Sequence, residues 1–428
     1  MTFRAPLFWL TGFAWLCVSG CLGIALFLSM IFGFPLPPVL RLLHVHAALV
    51  GGVAQIILGA MASFIPTLLM TGRDKPESHP LLYAAVNSGT LVLLAGVAAG
   101  QTAVMAAGGL AVLLAFLSVA KDAVGHVKSS LVSPPLNLWF YGVALLSLFL
   151  GLGMGEALAL KLVPMDVFGQ SRLVHIHLNL LGFVTMTIVG TMHNLFPTVL
   201  ETTLFSPKLA RWTFALMPTG LLLLIVGFLL PHLYVQAAAG LLLIAGTSFY
   251  GFNLIKTWLA AGRPSRAAVD HFMLATFFLF LAAVTGLLLS VNSLWDPPVV
   301  PIGRLHLVAY THLALVGFVL QTIMGALTHL LPIGLAVGRV KSNKKRGPYL
   351  AELTALAERW RGVQVSAVNF GPLLVFAAAT LVWQFSLKVP VVQGVAAAAA
   401  VLLAVGLLTF GAKVLLLVLR QPSDQSAD

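Results

Sequence analysis

Three stretches of the chain place histidines close together: His44 and His46, His175 and His177, and His306 and His312. Neutral imidazole is the commonest biological metal ligand and a regular axial ligand of haem iron. Two histidines two residues apart on a helix point about 200° away from each other, at 100° per residue. They cannot hold one ion together, as a pair four apart can. Instead they present one imidazole to each flank of the helix. A helix lying between two cofactors, or between a cofactor and a neighbouring helix, needs that arrangement.

The histidines sit at the start of a repeated pattern. His46 is followed by Gly51, Gly59 and Pro66; His177 by Gly182, Gly190 and Pro197; His312 by Gly317, Gly325 and Pro332. The offsets are the same each time, H-x4-G-x7-G-x6-P, which marks an internal repeat. The glycines let a flat macrocycle or a partner helix come close. His193 and His329 lie deeper on the second and third copies and have no counterpart on the first.

The elements that carry these residues are apolar helices. Hydrophobic residues make up 60% of the chain and charged residues 8%. Runs of about 20 apolar residues recur, each long enough to cross a ~30 Å hydrocarbon core. The pattern predicts an all-α polytopic membrane protein with twelve spans, near 7–31, 40–70, 81–100, 102–120, 136–160, 173–200, 209–230, 233–257, 271–291, 304–335, 364–387 and 390–419. They form three groups of four, about 7–120, 136–257 and 271–419, within one membrane domain spanning 1–428. The motif falls on the second helix of each group, spans 2, 6 and 10. An N-terminal stretch ending at Cys21 resembles a lipoprotein signal, but its place in the repeat makes it the first span. Cys17 and Cys21, four apart on that span, are expected to be packing residues.

The net charge of +12 reads as topology rather than as a nucleic-acid surface. Nineteen of the 24 Lys and Arg residues fall on the N-terminal side; Arg41, Lys161, Arg172, Arg304 and Lys388 fall on the other. The positive-inside rule then puts both termini in the cytoplasm of a bacterial cell membrane and the histidine pairs at the outer face. The one long connection, 338–362, is basic and partly helical, and suits a lipid surface on the inner side. The tail 421–428 is polar and expected to be disordered.

Arg41 and Arg172 precede the first histidine of their pairs by three residues, and Arg304 opens the third copy. They serve either as interfacial anchors or as partners for haem propionates. His79, His126 and His232 fall in or beside loops and His271 at a helix end, where surface roles are expected. The acids Glu156, Asp166, Asp296, Asp122, Glu201 and Asp270 sit at helix ends or in loops. A redox proton pump needs protonatable groups within the membrane, so pumping is not expected.

Twelve spans in three groups, with outer histidines on spans 2, 6 and 10, resemble subunit I of the haem–copper oxidases (the cytochrome c oxidase type) and nitric oxide reductases. Span 10 carries the closest match: Tyr310-Thr311-His312, Ile323-Met324-Gly325 and His329-Leu330-Leu331-Pro332. Span 2 is also similar to the opening motif of NnrS-type membrane haem–copper proteins, relatives linked to nitric oxide stress. The resemblance implies a low-spin haem between His44 or His46 and His312, and a copper ligand at His175 or His177. The family's ligand for a high-spin haem is Tyr310 here, and span 7 lacks the family's pair of copper histidines. His306 is the candidate for a relocated ligand.

The expectation is therefore a membrane protein binding at least one noncovalent haem b, with His175 and His177 completing a second haem or copper site and His306 a further metal candidate. Its role would be electron transfer or nitric oxide and metal handling rather than oxygen reduction. Expected partners are lipid and a redox partner or further membrane subunits, not nucleic acid. The alternative is a metal-ion or small-solute transporter using the outer histidines as an entry site; a third reading is an assembly subunit without cofactors.

Overall fold

The computed structural model describes residues 5–71 and 80–422. Arg4, Arg73, Lys75, His79 and most of the polar tail lie outside the described residues. Within them the chain is all-helical, with twelve helices long and apolar enough to cross a membrane. In chain order these are α1 (Ala5–Phe32), α2 (Val39–Leu68), α3 (Pro80–Ala99), α4 (Thr102–Ser129), α5 (Leu136–Ala159), α6 (Phe168–Val199), α7 (Pro207–Leu229), α8 (Leu233–Ala260), α9 (Ala267–Asn292), α10 (Arg304–Arg339), α12 (Arg361–Leu381) and α13 (Pro390–Leu419). A shorter helix, α11 (Asn343–Glu358), joins α10 to α12.

Local chemistry sets the ends. Ser206 caps α7, its hydroxyl accepting from the Leu209 N–H at 3.3 Å, with Pro207 in the first turn. There the ring's fixed φ suits the helix and its missing N–H costs nothing. Gly100 and Gly262 end α3 and α8 with φ of +66° and +81°, a conformation only glycine adopts without strain. α2 and α6 end alike. The Thr71 N–H donates to the Pro66 carbonyl and the Thr202 N–H to the Pro197 carbonyl, both at 3.0 Å. The motif proline thus supplies the carbonyl that closes the helix. In the third copy α10 runs on past Pro332 to Arg339.

The three groups pack by one plan. The first helix of each (α1, α5, α9) lies along the motif helix that follows it, and the third and fourth (α3–α4, α7–α8, α12–α13) form hairpins. Each fourth helix then meets the first helix of the next group, and α13 returns to α1, closing a ring. The motif helices are innermost. In each, 61% of the most apolar stretch is buried, against 22–50% in the other nine.

The motif glycines explain the close packing. A Cβ on Gly51 would lie 2.6 Å from Trp15, on Gly182 2.5 Å from Ser147 and on Gly317 2.4 Å from Phe278. Gly59, Gly190 and Gly325 meet Phe8, Phe140 and Phe272 in the same way. Of the two uses the sequence left open for these glycines, the structure selects helix–helix approach.

Helix α11 is not a free loop. Tyr349, Leu353 and Ala357 are buried at four-residue spacing on one face. Arg339 ties this end to α13, donating to the carbonyls of Val418 at 2.7 Å and Arg420 at 2.6 Å and to the Tyr349 hydroxyl at 2.9 Å. Arg420 pairs with Glu352.

Candidate functional site

Each motif helix changes winding immediately after its second histidine. Residues Ala47–Ala54, Leu178–Thr185 and Leu313–Leu320 are π-helical, eight residues in each copy. Such widened turns are rare and concentrate at functional sites. The widened stretch starts one residue after His46, His177 and His312 and contains the first motif glycine. It leaves the histidines on ordinary α-turns directly above it.

The histidines are held in two ways, repeated between copies. The first position of a pair bonds to the preceding helix. His44 Nδ1 lies 2.8 Å from the Ser19 carbonyl of α1, and His175 Nδ1 lies 2.8 Å from the Gly151 carbonyl of α5. One turn further along α1 and α5, Gly23 and Gly155 make room for the rings: their Cβ atoms would fall 2.6 and 2.7 Å from Cε1 of His44 and His175. The second position bonds within its own helix. Nδ1 of His46, His177 and His312 reaches the carbonyls of Leu42, Leu173 and Val308 at 2.9, 2.9 and 2.7 Å.

These bonds fix the tautomer. A backbone carbonyl only accepts, so Nδ1 carries the proton in all five rings. The Ser19 hydroxyl offers no competing proton, since it donates to the His44 carbonyl at 2.9 Å. Nε2 is left with its lone pair, the form of imidazole that ligates metals, and the Nδ1 bond sets the ring orientation.

The rings pair across helices. His44 and His312 line one apolar cleft of about 90 Å³ between α1, α2, α10, α12 and α13, and they lie within electrostatic reach of each other. His46, on the opposite flank of α2, is within electrostatic reach of His175 on α6. The first position of one copy is thus within electrostatic reach of the second position of another, twice, and in the His44–His312 case the two also share a cleft. The third combination would be Tyr310 with His177. There the Tyr310 hydroxyl is packed at Gly286, where a Cβ would lie 3.0 Å from it. The Phe228 ring of α7 lies against His177 at 4.8 Å.

Other candidates are placed elsewhere. His306 accepts from the Gly303 N–H at 3.1 Å and stacks on Trp383 with ring centres 5.0 Å apart. Among the described residues no three His, Cys, Asp or Glu side chains gather as an ion site, so His175, His177 and His306 are not brought together. Arg41, Arg172 and Arg304 are exposed at the histidine end. His193 lies deeper, its ring stacked on Phe140 and edge-on to Tyr250.

His271 departs from its expected surface role. It is fully buried, with Nε2 2.9 Å from Gln364 Nε2. Lys413, counted with the charges outside the membrane, is 1% exposed within α13, and its Nζ has no hydrogen-bond partner among the described residues. Sequence reasoning also passed over Ser19, Gly23, Gly151 and Gly155. A signal was present: Ser19 and Gly151 precede the first histidine of their pairs by nearly the same interval, and so do the two glycines.

Comparison with solved structures identifies the architecture. The chain superimposes on one chain of a haem–copper terminal oxidase dimer solved by cryo-EM, with a TM-score of 0.68, covering 98% of this chain and 85% of that one. The fold is that of a haem–copper oxidase. Sequence identity over the match is 13%, so the likeness concerns fold alone. No family model and no curated protein matches the sequence.

Proposed function

We propose that the chain is a haem-binding electron carrier of the cell membrane, with one haem b held between His44 on α2 and His312 on α10. One observation carries this reading: both rings are locked by Nδ1 bonds to carbonyls and both line the same apolar cleft. That donor set, two neutral imidazoles presenting Nε2, fits haem iron and matches no other common cofactor so well. No C-x-x-C-H sequence is present, so the attachment is noncovalent.

The walls fit a planar apolar group, with one adjustment. Gly20 and Gly23 line the cleft, and a Cβ on Gly20 would fall 2.5 Å from Leu407 of α13. The enclosed space is smaller than a macrocycle, so Leu407 and Leu403 must swing aside to seat one. Both form the cleft's α13 wall.

A bound haem supplies a one-electron iron couple. The protein's part is to hold and insulate it. His44 is braced by Ser19 and His312 by Val308, so neither ring needs to turn between redox states. The apolar walls exclude water. His44 and His312 would be the residues that hold the group, and held by two imidazoles it would supply one-electron transfer rather than oxygen reduction. Tyr310 in place of the oxidase ligand supports the same conclusion. Arg41 and Arg304, at the same end as the histidines, offer charge for the propionates or for headgroups. The charge distribution supports cytoplasmic termini in a bacterial inner membrane, with a redox partner or further subunit at the histidine face. Nitric oxide or metal handling, the role suggested by the NnrS-like opening motif, requires one histidine to leave the iron. The transport reading has less support, because the histidines divide into separate pairs.

The test is the reduced-minus-oxidised visible spectrum of detergent-purified protein from haem-replete cells, with iron and copper measured on the same sample. A sharp low-spin b-type signal that is lost in His312→Ala is expected. A colourless, iron-free protein would overturn the reading.

A further inference from the structure

We infer that the chain holds a second haem, between His46 on α2 and His175 on α6. The inference rests on the haem reading above and extends it to residues on the other flank of α2. His175 shares with His44 the two contacts that seat the ring. Its Nδ1 donates to a carbonyl of the preceding helix at 2.8 Å, and its ring sits over a glycine one turn further along that helix. His46 reproduces the setting of His312, with Nδ1 on the carbonyl four residues back and a π-helical stretch starting at the next residue. The two rings are within electrostatic reach of each other, as His44 and His312 are. A pair of locked imidazoles therefore occurs twice, each pair joining a first position to a second position of another copy.

Asn179 braces the His175 carbonyl as the Ser19 hydroxyl braces that of His44. Its Nδ2 donates to the His175 carbonyl at 2.7 Å, and a Cβ on Gly151 would meet its side chain at 2.6 Å. The ring and the carbonyl it bonds are thus fixed from two sides. The donor set again suits a planar macrocycle with one ligand on each face. A lone ion at this position would need further ligands, and among the described residues no third His, Cys, Asp or Glu joins the pair. The repetition stops at two because Tyr310 replaces the histidine in the third combination and Phe228 covers His177.

The placement gives the pair of sites a purpose. His44 and His46 are separated only by Val45 and point to opposite flanks of α2. Two haems there would lie on either side of one helix at one membrane depth. The two histidine pairs would hold their groups at the histidine face, where one-electron exchange is the chemistry such groups would supply.

Haem per chain, by alkaline pyridine spectroscopy against amino-acid analysis, tests this directly on the wild-type protein. Two haems are expected. His46→Ala and His175→Ala should each leave one haem with an unchanged His44/His312 spectrum, while His44→Ala and His312→Ala should each remove the other. Elution of each variant as a single species on size exclusion guards against misfolding. Should a variant aggregate, two overlapping low-spin ferric signals in the electron paramagnetic resonance of the wild type decide the question instead. One haem per chain, unaffected by His46→Ala and His175→Ala, would overturn the inference and leave the first site standing. One haem with one equivalent of copper lost in His175→Ala would replace it by a metal-ion site. No haem at all would remove both readings.

Discussion

His44 on α2 is held by Ser19 on α1, through a 2.8 Å bond from Nδ1 to the Ser19 carbonyl. The bond does three things at once. It fixes the ring angle, puts the proton on Nδ1 and leaves Nε2 free to face α10. Because the acceptor is a backbone atom, no substitution at position 19 removes it. Control of the ring passes to Gly23, one turn along, whose missing side chain leaves room for the ring's Cε1 edge against α1.

Gly23→Leu is therefore expected to unseat the ligand without touching it. Its Cβ alone would stand 2.6 Å from His44 Cε1, so the ring must turn and lose its carbonyl. Removing the brace behind a metal ligand costs roughly 10–100-fold in affinity. Haem retention on size exclusion in the presence of excess apomyoglobin measures the loss. Gly155→Leu should do the same for His175 while sparing the His44 site; equal effects of both substitutions on both sites would contradict the division into two pairs.

The apolar runs and the histidine pattern carried the twelve helices and their grouping, because bilayer thickness demands long apolar segments whatever their neighbours. Ends were less legible. Helix α4 continues through Lys121 and Asp122 to Ser129, since charged residues emerging from the membrane can extend a helix that apolar counting would stop. Helix α6 begins at Phe168, ahead of its apolar run. The choice between His44 and His46 as partner of His312 was not legible at all. It depends on helix rotation, which is set by Trp15, Phe8 and the other residues packed against the motif glycines. The burial of His271 and Lys413 escaped for a related reason. Both sit near apparent helix ends, and only the fold of α11 and α12 over that end encloses them.

Glu358 closes α11 and caps another helix. Both its carboxylate oxygens accept from the Ala267 N–H of α9 at 3.0 Å. A carboxylate at a helix N-terminus satisfies an otherwise unpaired donor and complements the helix dipole. Glu358→Ala should cost about 1–2 kcal/mol, and Glu358→Gln less, because the amide oxygen keeps the bond. Thermal unfolding of the detergent-solubilised protein should rank wild type above Gln above Ala. An unchanged midpoint for Glu358→Ala would refute the capping role.

Lys413 is the opposite case, a buried amine with no hydrogen-bond partner among the described residues. Its surroundings are largely apolar, including Leu327, Leu331, Phe410 and Leu417. A buried polar group without a partner costs on the order of 1–3 kcal/mol. Lys413→Met keeps the length and removes the charge, so the unfolding midpoint should rise. His271 and Gln364 lie at the same end, with Gln364 Oε1 and His271 Nδ1 also unpartnered. A fall in the midpoint on Lys413→Met would show that the attraction between the ammonium and the nearby Glu358 carboxylate outweighs the cost of burial.

Carbon monoxide distinguishes electron carriage from gas chemistry at the same iron. If His44 and His312 occupy both faces of one haem, and His46 and His175 both faces of the other, the reduced protein has no open position. Its visible spectrum should not change when carbon monoxide is added. His312→Ala opens one face beside the apolar cleft, and His175→Ala opens one beside α6, so each variant should acquire a carbon monoxide complex at a single haem. Tyr310→His should not do so, because Phe228 still covers His177 and no iron is exposed. A wild-type reduced protein that binds carbon monoxide at once would mean that one histidine is released or absent from the iron. The nitric oxide role would then displace electron transfer as the better reading.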